Sequence, residues 1–194
     1  MPPPAAESSP ARPPGAALLL VLAALLSLPA IATAVARFDV GAWSAMVPDD
    51  PAEPCELTTG GYDHAASEQE PLLLIALYRD KPAAPLRVNV MADTALTQAE
   101  LLRADARLRV DGPRARTVAL LPAAIVETER ETRVTFRPRF AGGEQAGLRD
   151  LVEAMRRGQR VTVEINGRAL EPGFSLRGLN ALWQRAVPDC EPRP

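Results

Sequence analysis

The chain has 194 residues, a formal net charge of −2 and only 4% aromatic side chains. That balance argues against an electrostatic nucleic-acid binder, which needs a clustered basic face; here the arginines are dispersed among Asp and Glu. One domain with a substantial core fits the length once a targeting segment is set aside.

Residues 1–14 are polar and proline-rich with a single cation, Arg12, and the apolar run "GAALLLVLAALLSLPAIATAVA" follows. This order predicts a signal peptide over residues 1–36. Ala34-Val35-Ala36 fits cleavage after Ala36, and Ala32-Thr33-Ala34 offers cleavage after Ala34. The rival is an uncleaved inner-membrane anchor through residues 16–36, long enough to span a bilayer. In either case residues 37–194 are expected outside the cytoplasm, periplasmic or secreted, as a single β-rich domain. Cys55 and Cys190 are the only cysteines. In an exported protein an even count predicts a disulfide, here one closing most of the mature chain.

Phe38, Val40 and Trp43 suggest a first strand around residues 38–46, before a Pro/Asp/Glu-rich loop that delivers Cys55. Residues 58–71 lack apolar periodicity and read as a loop. "LLLIALY" (72–78) is a continuous apolar run suited to a buried strand. "LRVNVM" alternates Leu86, Val88 and Val90 against Arg87 and Asn89, a strand with one wet face. Residues 93–105 fit a helical turn or a loop. Leu108 and Val110 alternate up to Asp111-Gly112, a hairpin signal that the following Pro113 makes less simple. Val134 and Phe136 mark another strand over 132–138.

The clearest helix is "EQAGLRDLVEAMRRG". Its Leu148, Leu151, Val152 and Met155 form one helical stripe, and Gly158 is expected at C′. Val161, Val163 and Ile165 then alternate up to Asn166-Gly167, a type I′ turn pair. Phe174 and Leu176 continue the returning strand. Beyond Gly178 the period changes: Leu179, Leu182, Trp183, Ala186 and Val187 share one helical face until Pro188, which is expected to end the helix with Cys190 just outside it.

The sequence contains no nucleophile-elbow, Walker, H-E-x-x-H or paired C-x-x-C pattern, and His64 is its only histidine. No catalytic residue, cofactor or metal is therefore expected, and the chain reads as a non-enzyme. Asp63, His64, Glu68 and Glu70 carry cation-ligand chemistry, but an acidic loop without rigid spacing is more simply solvated. Trp43 and Trp183 are expected as core anchors, with a ligand groove or a partner-binding helix as the functional alternative.

Trp43, Cys55 and a terminal V-x-V-x-x-N-G…F-S-L-R-G-L-x-A-L together resemble the invasion-associated locus B proteins. These are small β-rich secreted or periplasmic proteins of Gram-negative bacteria. Ser175, Leu176, Arg177 and Gly178 carry the phrase, and the match is clearest over residues 145–187. A similar strand–Gly–helix–Cys ending occurs in periplasmic accessory proteins of type VI secretion. Neither resemblance brings a catalytic residue. The expected fold is mainly β (α+β by strict count): one antiparallel sandwich or barrel with an internal and a C-terminal helix. The expected function is contact with an unidentified protein partner, in the envelope or on a host. A small-molecule or lipid-binding module is the alternative.

Overall fold

The computed structural model describes residues 35–59 and 71–190. They form one antiparallel sheet, curled into a half-barrel, with helices packed on its concave side. The chain first runs as a meander: β1 (Val35–Val40), β2 (Trp43–Pro48), β3 (Cys55–Thr59), β4 (Leu72–Leu77) and β5 (Leu86–Thr94). A one-turn helix, α1 (Gln98–Leu101), carries the chain on to β6 (Ala106–Asp111). Two hairpins then return through β7 (Arg116–Glu127) and β8 (Thr132–Arg139), placing β8 beside β5. After α2 (Glu144–Arg157), β9 (Arg160–Ile165) pairs with β6. Two dipeptide strands, β10 (Arg168–Ala169) and β11 (Phe174–Ser175), share the other edge of β9, and α3 (Leu179–Cys190) closes the described chain.

Local chemistry accounts for these elements. In β6, Ala106, Leu108 and Val110 are buried while Arg107 and Arg109 are exposed, the period of a strand with one wet face. The expected stripe of α2 is buried in full, on the same side as Leu179 and Leu182 of α3. At Asn166-Gly167 both residues take positive φ, and the Asn166 side chain accepts from Asp105 N–H at 3.0 Å. The ambiguous segment after β5 resolves into strand, then helix. Thr97 and Glu100 form a reciprocal capping box at α1, and the bonds from the Thr97 backbone and hydroxyl hold the Glu100 carboxyl below its ordinary pKa.

Four local expectations change. The strand expected over 38–46 is a hairpin, reversing at Gly41-Ala42 with Gly41 at φ +64°, the arrangement of a type II′ turn. The turn after β6 is longer than two residues, since Val110 pairs with Arg116 and five residues lie between them. Gly158 is extended, at φ −82°, rather than left-handed; a side chain there would meet Asp111 O at 2.7 Å. Pro188 lies inside α3, whose last turn runs on to Cys190. Its missing N–H falls near the helix end, while buried Val187 and Cys190 keep that turn on course.

The β5–β8 ladder stops at Val90↔Phe136. Continued, its register would put Val88 opposite Pro138, which has no N–H to donate. Gln145 of α2 takes over further along: its side-chain amide accepts from Leu86 N–H at 3.2 Å and donates to Leu86 C=O at 3.0 Å. The helix is thereby fixed to the sheet where the strands part.

Candidate functional site

The residues singled out in the sequence converge on the two ends of the sheet. Trp43, Phe174, Leu176, Leu179 and Leu182 are all buried in the core. Trp43 also reaches across the curl, its indole Nε1–H donating to Ser175 C=O at 2.8 Å. Next to it, Ala42 N–H donates to Arg177 C=O at 3.1 Å. Gly41 and Gly178 make this approach possible: a Cβ on Gly178, which sits at φ +100°, would lie 2.0 Å from Val40 O. The Ser-Leu-Arg-Gly phrase thus closes the fold.

Cys55, at the start of β3, and Cys190, at the end of α3, meet at disulfide-bonding distance with Cα atoms 5.8 Å apart. Both cysteines are buried, so the closure is sealed from inside. Trp183 stands apart from the other expected core residues. It is only half-buried, with the Arg156 guanidinium 5.4 Å from its ring centre. Arg156 also donates to Asn180 Oδ1 at 2.9 and 3.1 Å and pairs with Glu153 at 3.1 Å, tying α2 to α3 through their exposed sides. The apolar face of α3 is therefore occupied by the core.

Among the described residues four large apolar side chains are exposed: Val35 at the start of β1, Leu102 just after α1, and two on the convex face. Leu121 and Val126 of β7 are 46% and 58% exposed. They stand opposite Arg137 and Arg133 of β8, and the half-buried Met91 of β5 follows on opposite Thr135. Arg133 is held by both oxygens of Asp93, at 2.9 and 3.1 Å. Arg137 and Arg139 are exposed, and among the described residues no carboxylate pairs with either. An irregularity at Pro122–Ala124 shifts the β7 register, so the apolar run 120–126 divides between the two faces. The sequence reading missed this surface. Its one signal was the proline inside an apolar strand, which marks a bulge or an edge.

A separate open cleft of about 390 Å³ is lined by Arg114, Ala115, Arg116, Asp150 and Ala154. Arg116 already pairs with Asp150 there at 3.3 Å, which uses its charge locally. Among the described residues no group of His, Cys, Asp and Glu is placed to hold a metal ion, and no helix is long and apolar enough to cross a membrane. The expected signal peptide up to residue 34 and the cluster Asp63, His64, Glu68 and Glu70 lie outside the described residues. Compared with family models, curated proteins and solved structures, the chain matches none.

Proposed function

We propose that this chain is an exported bacterial envelope or secreted protein that works by contact with another protein, without catalysis. The observation that carries the reading is the contrast between its two faces. Between sheet and helices Leu148, Leu151, Met155, Leu179 and Leu182 are all buried in one apolar core. The convex face instead offers Leu121, Val126 and Met91 beside Arg137 and Arg139. Arg and Met are the side chains enriched at protein interfaces. The resemblance to invasion-associated locus B proteins supports an envelope or host setting, and a type VI secretion accessory role is the other setting that fits.

The Cys55–Cys190 pair supports export, since such bonds persist in oxidising compartments. The start of β1 bears on where the leader ends. Val35 and Ala36 pair with Pro48 and Val47, so cleavage after Ala34 leaves β1 whole, while cleavage after Ala36 removes two paired residues. Mass spectrometry of the exported protein should find Val35 at its amino terminus, with Arg37 as the shorter alternative; intact Met1 overturns cleavage. The contact reading is tested by a photo-crosslinking side chain placed at Leu121 or, as a control, at Trp183, in cells. A discrete adduct from position 121 and none from 183 is expected. Adducts from 183 alone would move the contact to α3.

A further inference from the structure

Arginines that are spread along the sequence come together on the convex face of the sheet. Arg107 and Arg109 occupy wet positions of β6, and Arg133, Arg137 and Arg139 those of β8. Between them β7 presents Thr117, Ala119 and Leu121, all exposed and uncharged. Register joins the three strands: Ala119 stands opposite Arg107 on one side and Arg139 on the other, and Leu121 stands opposite Arg137. Three of the arginines are neutralised by neighbours. Arg107 pairs with Asp105 at 2.8 Å, Arg109 with Asp111 at 3.2 Å and Arg133 with Asp93 at 2.9 Å. Arg137 and Arg139 are left over, and among the described residues neither has an ion-pair or hydrogen-bond partner. As alternate residues of one strand they repeat at about 6.8 Å, the spacing at which any extended chain presents side chains on one face.

We infer that this strip receives an extended acidic segment of the partner protein, with the pattern acid-x-acid-x-apolar or its reverse. This names the chemistry of the contact proposed above and rests on it. The two carboxylates bond Arg139 and Arg137, whose planar guanidinium forks suit two-pronged recognition of a carboxylate. The third side chain on that face of the segment falls over Thr135, which has Ala124 of β7 opposite it on one side and half-buried Met91 of β5 on the other. An apolar residue fits there, beside exposed Leu121. The leftover charge also chooses the class of partner. Two unpaired arginines match two carboxylates, whereas a nucleic-acid backbone is held by a longer run of free cations.

The test is an NMR titration of the exported chain, following arginine Nε–H and backbone amide signals. The probes are the capped peptides Glu-Ser-Glu-Ser-Leu and Leu-Ser-Glu-Ser-Glu. One of them should shift Arg137, Arg139 and Leu121 saturably, with dissociation at roughly 0.1–1 mM, and should weaken as salt is raised. The same peptide with Gln for Glu should bind about tenfold more weakly or worse. The double variant Arg137→Glu/Arg139→Glu should lose the acidic peptide and gain its Lys counterpart, an exchange that misfolding cannot produce. No saturable shift at about 10 mM peptide, equal binding of the Gln peptide, or shifts centred on other arginines overturns the inference. So does a short DNA duplex that binds the same arginines more tightly than either peptide, which would assign the strip to nucleic acid. An adduct from position 121 in cells without peptide binding leaves the protein contact standing and removes its acidic chemistry alone.

Discussion

The concave and convex faces of this sheet use the same residue types to opposite ends. Leu179 and Leu182 are fully buried because the tail folds back over the core; Leu121, on the far side of the same sheet, is left half in water. Trp43 is sealed and hydrogen-bonded across the curl, whereas Trp183 lies half-buried beneath an arginine. Hydrophobic character alone does not say which side chain is scaffold and which is available for contact. Position relative to the closure does, and graded perturbation of the two faces should expose the difference.

The largest effect is expected at the seal. Cys190→Ser opens a loop with a sequence separation of 135. It should cost on the order of 5 kcal/mol by the chain-entropy argument, read by urea unfolding. Trp43→Ala follows at about 3–5 kcal/mol, because it empties a buried volume and leaves Ser175 C=O without its donor. Trp43→Phe separates the two contributions: it keeps most of the ring, removes the N–H and should cost about 1–3 kcal/mol. Trp183→Ala should cost about 1–2 kcal/mol, since part of its surface is already in water and its partner is a cation at the rim. If Trp183→Ala matched Trp43→Ala, the distinction between sealed and rim tryptophans would fail.

On the convex face the expected ordering of stability and contact reverses. Leu121→Asp should change stability by no more than about 0.5 kcal/mol, as for a surface position. It should nevertheless abolish the crosslinked adduct formed from a neighbouring probe at Val126. A large loss of stability would instead place Leu121 in the scaffold.

How much of this was legible depended on where the determining contact lay in the chain. The stripes of α2 and α3 and the alternation of β6, β8 and β9 are local, with periods written in consecutive residues, and the folded elements follow them. The pairing of the two cysteines was legible from their even count and the expectation of export. Closure itself was not. The phrase Phe-Ser-Leu-Arg-Gly gives no sign that Ser175 C=O will accept from Trp43, 132 residues earlier. Gly158 showed the same limit: its glycine is required by the close approach of Asp111, a tertiary fact, though the local pattern suggested a left-handed cap. The convex surface stayed hidden because "LLPAAIV" reads as buried until the register shift at Pro122 is known.

The smallest expected effect lies where the two faces meet, on β1. Asp39 points to the convex side, and its carboxyl is held below the ordinary aspartate range, first by the Ser44 hydroxyl donating to it and then by Arg37. A depressed pKa in the folded state contributes stability above the unfolded value and loses it as the pH falls through the folded one. The contribution of Asp39 should therefore be complete at neutral pH and be lost as the pH falls through its lowered folded-state value. Carboxyl carbon shifts followed by NMR should give Asp39 a midpoint lower than that of a solvated aspartate, and Ser44→Ala should raise it. Because Ser44 is itself buried, the hydroxyl cannot turn to water instead. A midpoint unmoved by Ser44→Ala would mean that Arg37, rather than the hydroxyl, sets the charge on this edge.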